Sequence, residues 1–241
     1  MRRLLLALLC APALLWAQAP RPIQRELLQV PTRPEVIQRA VLLTEGPSPK
    51  AVALMFPGAE GVIGLERRSI AEVLAARGNF LVRSAELFLS PELAVALVDR
   101  PSDQPYGMRD SFRVGDEHAA DVRGLIAALK ARFPGVKVFL VGTSRGTVSA
   151  AYVAQDLGPL VDGVVLTSSV FRSAGGQVAL SFFKFDRVKG PLLLVHHAED
   201  GCPICPYGAA ERLSAQFPLI TVRGGLPRES DECGALSNHG Y

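Results

Sequence analysis

The run Val138-Phe139-Leu140-Val141-Gly142-Thr143-Ser144-Arg145-Gly146, continuing through an Ala- and Val-rich stretch from Thr147 to Gln155, decides how this chain folds. Its first four residues are apolar without interruption, the mark of a strand covered on both faces rather than one. The residues from Thr147 onward suit a helix. Between them, Gly142-Thr143-Ser144-Arg145-Gly146 fits the pattern G-x-S-x-G. Such a motif places its serine on a tight strand-to-helix turn, clear of the sheet, and the glycines give the backbone room to turn sharply. Ser144 is therefore the candidate nucleophile.

Outward from this turn, apolar runs alternate with helical stretches. Ala51–Phe56, Leu93–Val98, Val164–Leu166, Leu192–Val195 and Leu219–Val222 read as further buried strands. Asn79–Leu89, Glu117–Arg132 and Tyr207–Gln216 supply crossover helices; in the second of these, Ala120, Leu125, Ala128 and Leu129 fall on one side. Residues from Pro20 to about Arg39, with Pro22, Pro31 and Pro34, read as an extended lead-in. The alternation predicts an α/β fold with a doubly wound, mostly parallel sheet. No second core large enough for a cap domain is present, and Ser168–Asp186 is the one stretch able to form a small lid.

A serine hydroxyl needs a base, and the base needs an orienting carboxylate. Three histidines follow Ser144: His196, His197 and His239. The first two end a strand, and the loop beyond them carries Glu199 and Asp200. In the order serine, acid, base, the candidates are Ser144, Asp200 and His239, with Glu199 the rival acid and His197 a structural histidine. His118, which precedes the serine, reads as a surface or capping residue. Backbone donors for a negatively charged oxygen are expected from the amide of Arg145, just after the nucleophile, and from Ala59, or Gly58 beside it, in the loop after an early strand. Arg83, Arg100, Arg109 and Arg145 fall near the expected mouth and make an anionic substrate or product one option.

Composition bounds the alternatives. The 241 residues are 49% hydrophobic and 20% charged, as in an ordinary globular domain. Met1-Arg2-Arg3, the apolar run Leu4–Trp16 and Ala17-Gln18-Ala19 read as a cleaved export signal over residues 1–19, leaving a single domain over 20–241. Loss of Arg2 and Arg3 leaves 24 basic against 23 acidic residues, a net charge of +1 instead of +3. A near-neutral chain with no clustered basic face argues against a nucleic-acid partner. Stable membrane insertion is not expected once the signal is removed, and the protein is expected in the periplasm or outside the cell. The partner the site calls for is a small-molecule acyl substrate, with no cofactor. Cys202-Pro203-Ile204-Cys205 lies too late in the chain for a thioredoxin-like motif and lacks the second Cys or His pair of a zinc site, so no metal is expected.

Several blocks carry a resemblance: Phe56-Pro57-Gly58, Gly78–Ser84, Arg100–Asp103, Glu117–Asp121, Gly142–Gly146, His196-His197 with Asp200 and Cys202, and Asn238-His239-Gly240-Tyr241. Together they resemble the α/β-hydrolases, and more narrowly the small exported bacterial hydrolase-like proteins. The resemblance implies a Ser144–Asp200–His239 triad, acyl-bond hydrolysis and a disulfide between Cys202 and Cys233, with Cys205 as the alternative partner. One departure is that the sequence ends two residues after His239, where the family usually continues into a final helix.

Overall fold

The structure is a computed structural model that describes residues 22–76, 78–175 and 177–225 together with Cys233 and His239. The expected export signal, residues 1–19, lies outside the described residues. In chain order the elements are β1 (Gln24–Arg33), β2 (Val36–Thr44), β3 (Ala51–Phe56), α1 (Ile70–Leu74), α2 (Phe80–Ser84), β4 (Leu93–Val98), α3 (Asp110–Arg113), α4 (Asp116–Arg132), β5 (Lys137–Thr143), α5 (Gly146–Leu157), β6 (Gly163–Thr167), β7 (Leu192–His197), α6 (Tyr207–Leu213) and β8 (Leu219–Val222). The strands form one sheet in the order β1-β2-β4-β3-β5-β6-β7-β8. From β4 to β8 neighbouring strands run parallel, while β1 pairs with β2, and β2 with β4, antiparallel.

Alternation along the strands divides the interior into two layers. Val52, Leu54, Phe56, Val138 and Leu140 point to the face covered by α4 and α5. Ala53, Met55, Val95, Leu97 and Val141 point to the other face, covered in part by Val73 of α1 and Leu81 and Val82 of α2. Helices on both faces explain why these strands read as unbroken apolar runs. The doubly wound α/β architecture expected from the sequence is present, without a large cap domain among the described residues.

Three expectations need correction. The lead-in from Pro20 to Arg39 is not merely extended: β1 and the start of β2 lie within it and form an antiparallel hairpin. Its prolines concealed this. Pro31 sits at a register shift on an edge strand, where a missing N–H is tolerated, and Glu35 turns the hairpin at φ +60°. Arg33 fastens the hairpin to α4 through two hydrogen bonds to Asp121, of 2.9 and 2.8 Å. The helix expected over Asn79–Leu89 breaks after α2 into a 3-10 turn, Ala85–Phe88. Residues 168–186 are anchored rather than lid-like: Phe171, Leu180 and Phe183 are buried in the main core.

Candidate active site

Ser144 follows β5 directly, where the chain leaves the sheet for α5. Its φ is +50°, a conformation that L-residues adopt only under constraint. The constraint is packing of main chain on main chain. A Cβ on Gly146 would meet the carbonyl oxygen of Phe56 at 2.0 Å, and one on Gly142 would meet that of Gly146 at 2.4 Å. Both glycines of the motif are thus required by contact across β3, β5 and α5. The Ser144 amide donates to the Thr167 carbonyl at 3.1 Å, and its carbonyl accepts from the Thr147 amide at 2.9 Å and hydroxyl at 2.6 Å. Strand β6 and the first turn of α5 therefore both hold the serine.

The loop after β3 passes beside it. A Cβ on Gly58 would lie 3.0 Å from that of Ser144. Ala59 next to it is also at φ +50°, and a turn bond from the Gly61 amide to the Gly58 carbonyl, 3.0 Å, closes the loop. Neither the Ala59 nor the Arg145 amide has a hydrogen-bond acceptor among the described residues. Arg113, wholly buried, holds this loop from behind: it donates to the Ala59 carbonyl at 2.7 Å, the Met108 carbonyl at 3.3 Å and the Ser149 hydroxyl of α5 at 2.8 Å. Burial, with Arg145 nearby, pushes its guanidinium down to about 10, so it stays charged at neutral pH. The Arg145 side chain turns away to Asp110, with bonds of 2.6 and 3.1 Å.

On the other side of the site, β7 ends at His197 and the next loop brings in Asp200. Both its carboxylate oxygens lie 3.1 Å from Nδ1 of His239. Asp200 also accepts from the Cys202 amide at 3.0 Å, and Nε2 of His196 lies 3.2 Å from it and 2.9 Å from the Cys205 carbonyl. Burial alone would raise the Asp200 carboxyl, but the bonds from His196, His239 and Cys202, with the charge of His239, hold it well below the usual carboxylate range. It is an anion at neutral pH. Glu199, the rival acid, instead donates its amide to Nδ1 of His197. Cys202 and Cys233 form a disulfide that ties the Asp200 loop to the segment carrying His239, and Cys205 is a free, buried thiol.

This topology and turn can be set beside known proteins. A family model described as serine aminopeptidase, S33, matches residues 102–220. Three solved structures are similar in fold. An α/β serine hydrolase without a lid from Xanthomonas campestris aligns at TM-score 0.55 and 16% identity, over 85% of this chain and 86% of that one. The dienelactone hydrolase of Anabaena variabilis aligns at 0.55 and 21%, over 87% and 88%. A cold-adapted esterase from an Arctic intertidal metagenomic library aligns at 0.56 and 14%, over 84% of each. The chain has the fold of these α/β-hydrolases. No curated protein matches this chain in sequence.

Within this fold, Ser144 and His239 line one small cleft of ≈ 80 Å³ together with Gly58, Ala59, Asn79 and Arg83. Beside it lies a larger cavity of ≈ 620 Å³ that shares Gly58, Ala59, Gly78 and Asn79 and adds Val62, Ile63, Val73, Val82 and Tyr106. Of the arginines expected at the mouth, Arg145 is paired with Asp110 and Arg100 with Glu66 at 2.6 Å, while Arg83 lies over the Phe80 ring at the cleft wall. One grouping among the described residues has ligand-type atoms close together, Cys202, Cys205 and His239. Cys202 spends its thiolate on the disulfide, so the set does not fit a metal.

His118 departs from its sequence reading. It is fully buried in α4 between the rings of Phe56 and Phe112, at 5.9 and 5.5 Å, with neither nitrogen hydrogen-bonded among the described residues. Burial, and then the charges of Arg113 and Arg33, push its pKa down to about 3, and it is neutral. The sequence reading also missed two supporting residues. His196 could have been found from its spacing, four residues before Asp200 on a strand end. Arg113 sent no signal, because its partners are main-chain groups far away in sequence.

Proposed function

We propose that this protein is a serine hydrolase that cleaves a small ester-like acyl bond. The reading rests above all on one observation: Ser144, held at positive φ, shares a cleft with a histidine whose other ring nitrogen faces a buried carboxylate. Ser144 Oγ attacks the carbonyl carbon while His239 accepts its proton at Nε2. Asp200 fixes the tautomer with the proton on Nδ1 and stabilises the imidazolium. The carbonyl oxygen becomes an anion between the amides of Ala59 and Arg145, whose donors are otherwise unspent. The intermediate collapses as His239 returns the proton to the leaving alcohol. Water then attacks the acyl-serine by the same steps, regenerating the hydroxyl and releasing the acid.

The small cleft suits one end of the substrate and the adjoining cavity, lined by both apolar and polar side chains, the other. A disulfide that must persist for His239 to be held also suits an oxidising compartment, in keeping with export to the periplasm or beyond. The test is hydrolysis of a short-chain aryl ester by purified protein, with activity abolished in Ser144→Ala; an inactive wild type contradicts the proposal. A second reading, peptide-bond hydrolysis by the same residues, draws on the matched family description. Aminoacyl arylamides cleaved faster than aryl esters would select it.

A further inference from the structure

We propose that Cys205 is an internal exchange partner for the Cys202–Cys233 disulfide, giving the protein a second covalent state, Cys202–Cys205, in which the His239 segment is untied. The functional consequence rests on the reading of His239 as the catalytic base. Three observations carry the proposal. The sulfurs of Cys202 and Cys205 and a ring nitrogen of His239 all lie within 4.8 Å of one another. The Cys205 amide donates to the Cys202 carbonyl at 3.0 Å, closing a turn. Residues three apart across such a turn have Cα atoms within about 7 Å, the span a disulfide bridges. Cys205 therefore lies within reach of Cys202.

The step is an isomerisation and needs no oxidant. The Cys205 thiolate attacks Sγ of Cys202, the new S–S bond forms, the bond to Cys233 breaks, and Cys233 leaves with the electron pair as a thiolate. The proton lost by Cys205 passes through solvent to Cys233. Cys205 is buried and Cys233 exposed, so the displaced sulfur is the better hydrated of the two. A cross-link spanning 31 residues is replaced by one spanning three, which frees the chain that holds His239.

The surroundings keep the exchange slow at neutral pH. The titratable groups about Cys205 are Asp200 in its own loop, His196 at the end of β7, His239 opposite, and Tyr152 of α5, which packs on the same apolar patch. Burial first, and then the Asp200 charge, hold the thiol well above its ordinary value, against a smaller opposing effect of the Ser144 hydroxyl. Exchange is accordingly expected to set in under alkaline conditions.

Tryptic mapping reads the state directly. Cys202 and Cys205 fall in one tryptic peptide, residues 190–212, and Cys233 in another, 229–241. The purified full chain is held at about pH 6 or about pH 10, acid-quenched, alkylated unfolded and digested. We expect the cross-linked pair to fall at least about threefold at the higher pH, with a matching rise of peptide 190–212 carrying an internal disulfide. Aryl-esterase activity assayed after return to neutral pH should fall in parallel. Cys205→Ser and Cys205→Ala should keep the cross-link and whatever activity each began with. A cross-link undiminished at the higher pH in wild type, or an equal activity decay in the two variants, overturns the proposal. If the wild type hydrolyses no ester, the catalytic reading fails while the map still decides the exchange.

Discussion

Ser144 is positioned by main chain, whereas His239 is positioned by side chains. The serine follows a central strand, paired on both sides, and its strained φ is enforced by glycines that leave no space for a Cβ. The histidine reaches the same cleft from beyond the last strand. Among the described residues its anchors are one carboxylate and a disulfide six residues away. Under the proposed mechanism, a site assembled this way keeps its nucleophile through most local disturbances and loses its base through a single broken bond.

The comparison yields measurable asymmetries. The largest effect belongs to the reacting atom: Ser144→Ala should lower kcat by about 10⁵–10⁶-fold with unchanged circular dichroism. Next is the anchor of the base. Asp200→Asn keeps the shape but lets His239 adopt the wrong tautomer, so ester hydrolysis should fall about 10⁴-fold. A loss of less than tenfold there would mean that His239 is positioned without Asp200. Smaller again is the tether. Cys233→Ser should lower stability by about 3–4 kcal/mol in chemical denaturation, from closure of a 31-residue loop. Activity loss in that variant should exceed what its folded fraction explains, because the base side is loosened while Ser144 is not.

The smallest effect lies away from the site and concerns the core that supports it. His118 is buried neutral with a pKa of about 3 against 6.5 unfolded, so the unfolded chain binds the proton first as pH falls. Stability should therefore rise with pH between those values. Wild type is expected to lose about 2–3 kcal/mol from this group between pH 7 and 4.5, and His118→Leu to lack that part of the loss. Asp200 acts at lower pH: its depressed carboxyl contributes stability above about pH 4 that is lost as pH falls further. Parallel pH curves for wild type and His118→Leu would contradict the burial argument.

What the sequence disclosed follows the same division. The central strands and the serine turn were legible because both are local: apolar runs of strand length, then G-x-S-x-G between strand and helix. Strand β8 came out at the observed bounds, Leu219–Val222, for the same reason. The β1–β2 hairpin was not legible, since Pro31 and Pro34 read as interruptions and the pairing that accommodates them is tertiary. On the base side, order along the chain selected Asp200 and His239, but nothing local separated Asp200 from Glu199. That separation comes from the loop, which aims one carboxylate at His239 and spends the Glu199 amide on His197. His118 was misread because its neighbours Asp116 and Glu117 suggest a wet helix start, while its own side chain points inward.

The most direct test of the account is labelling with a fluorophosphonate, which reacts with a serine activated by its base. The adduct should appear on the tryptic peptide 138–145 of wild type, vanish in Ser144→Ala and form far more slowly in His239→Ala and Asp200→Asn. An unlabelled wild type, or one labelled equally fast without His239, would contradict the claim that these three residues act together.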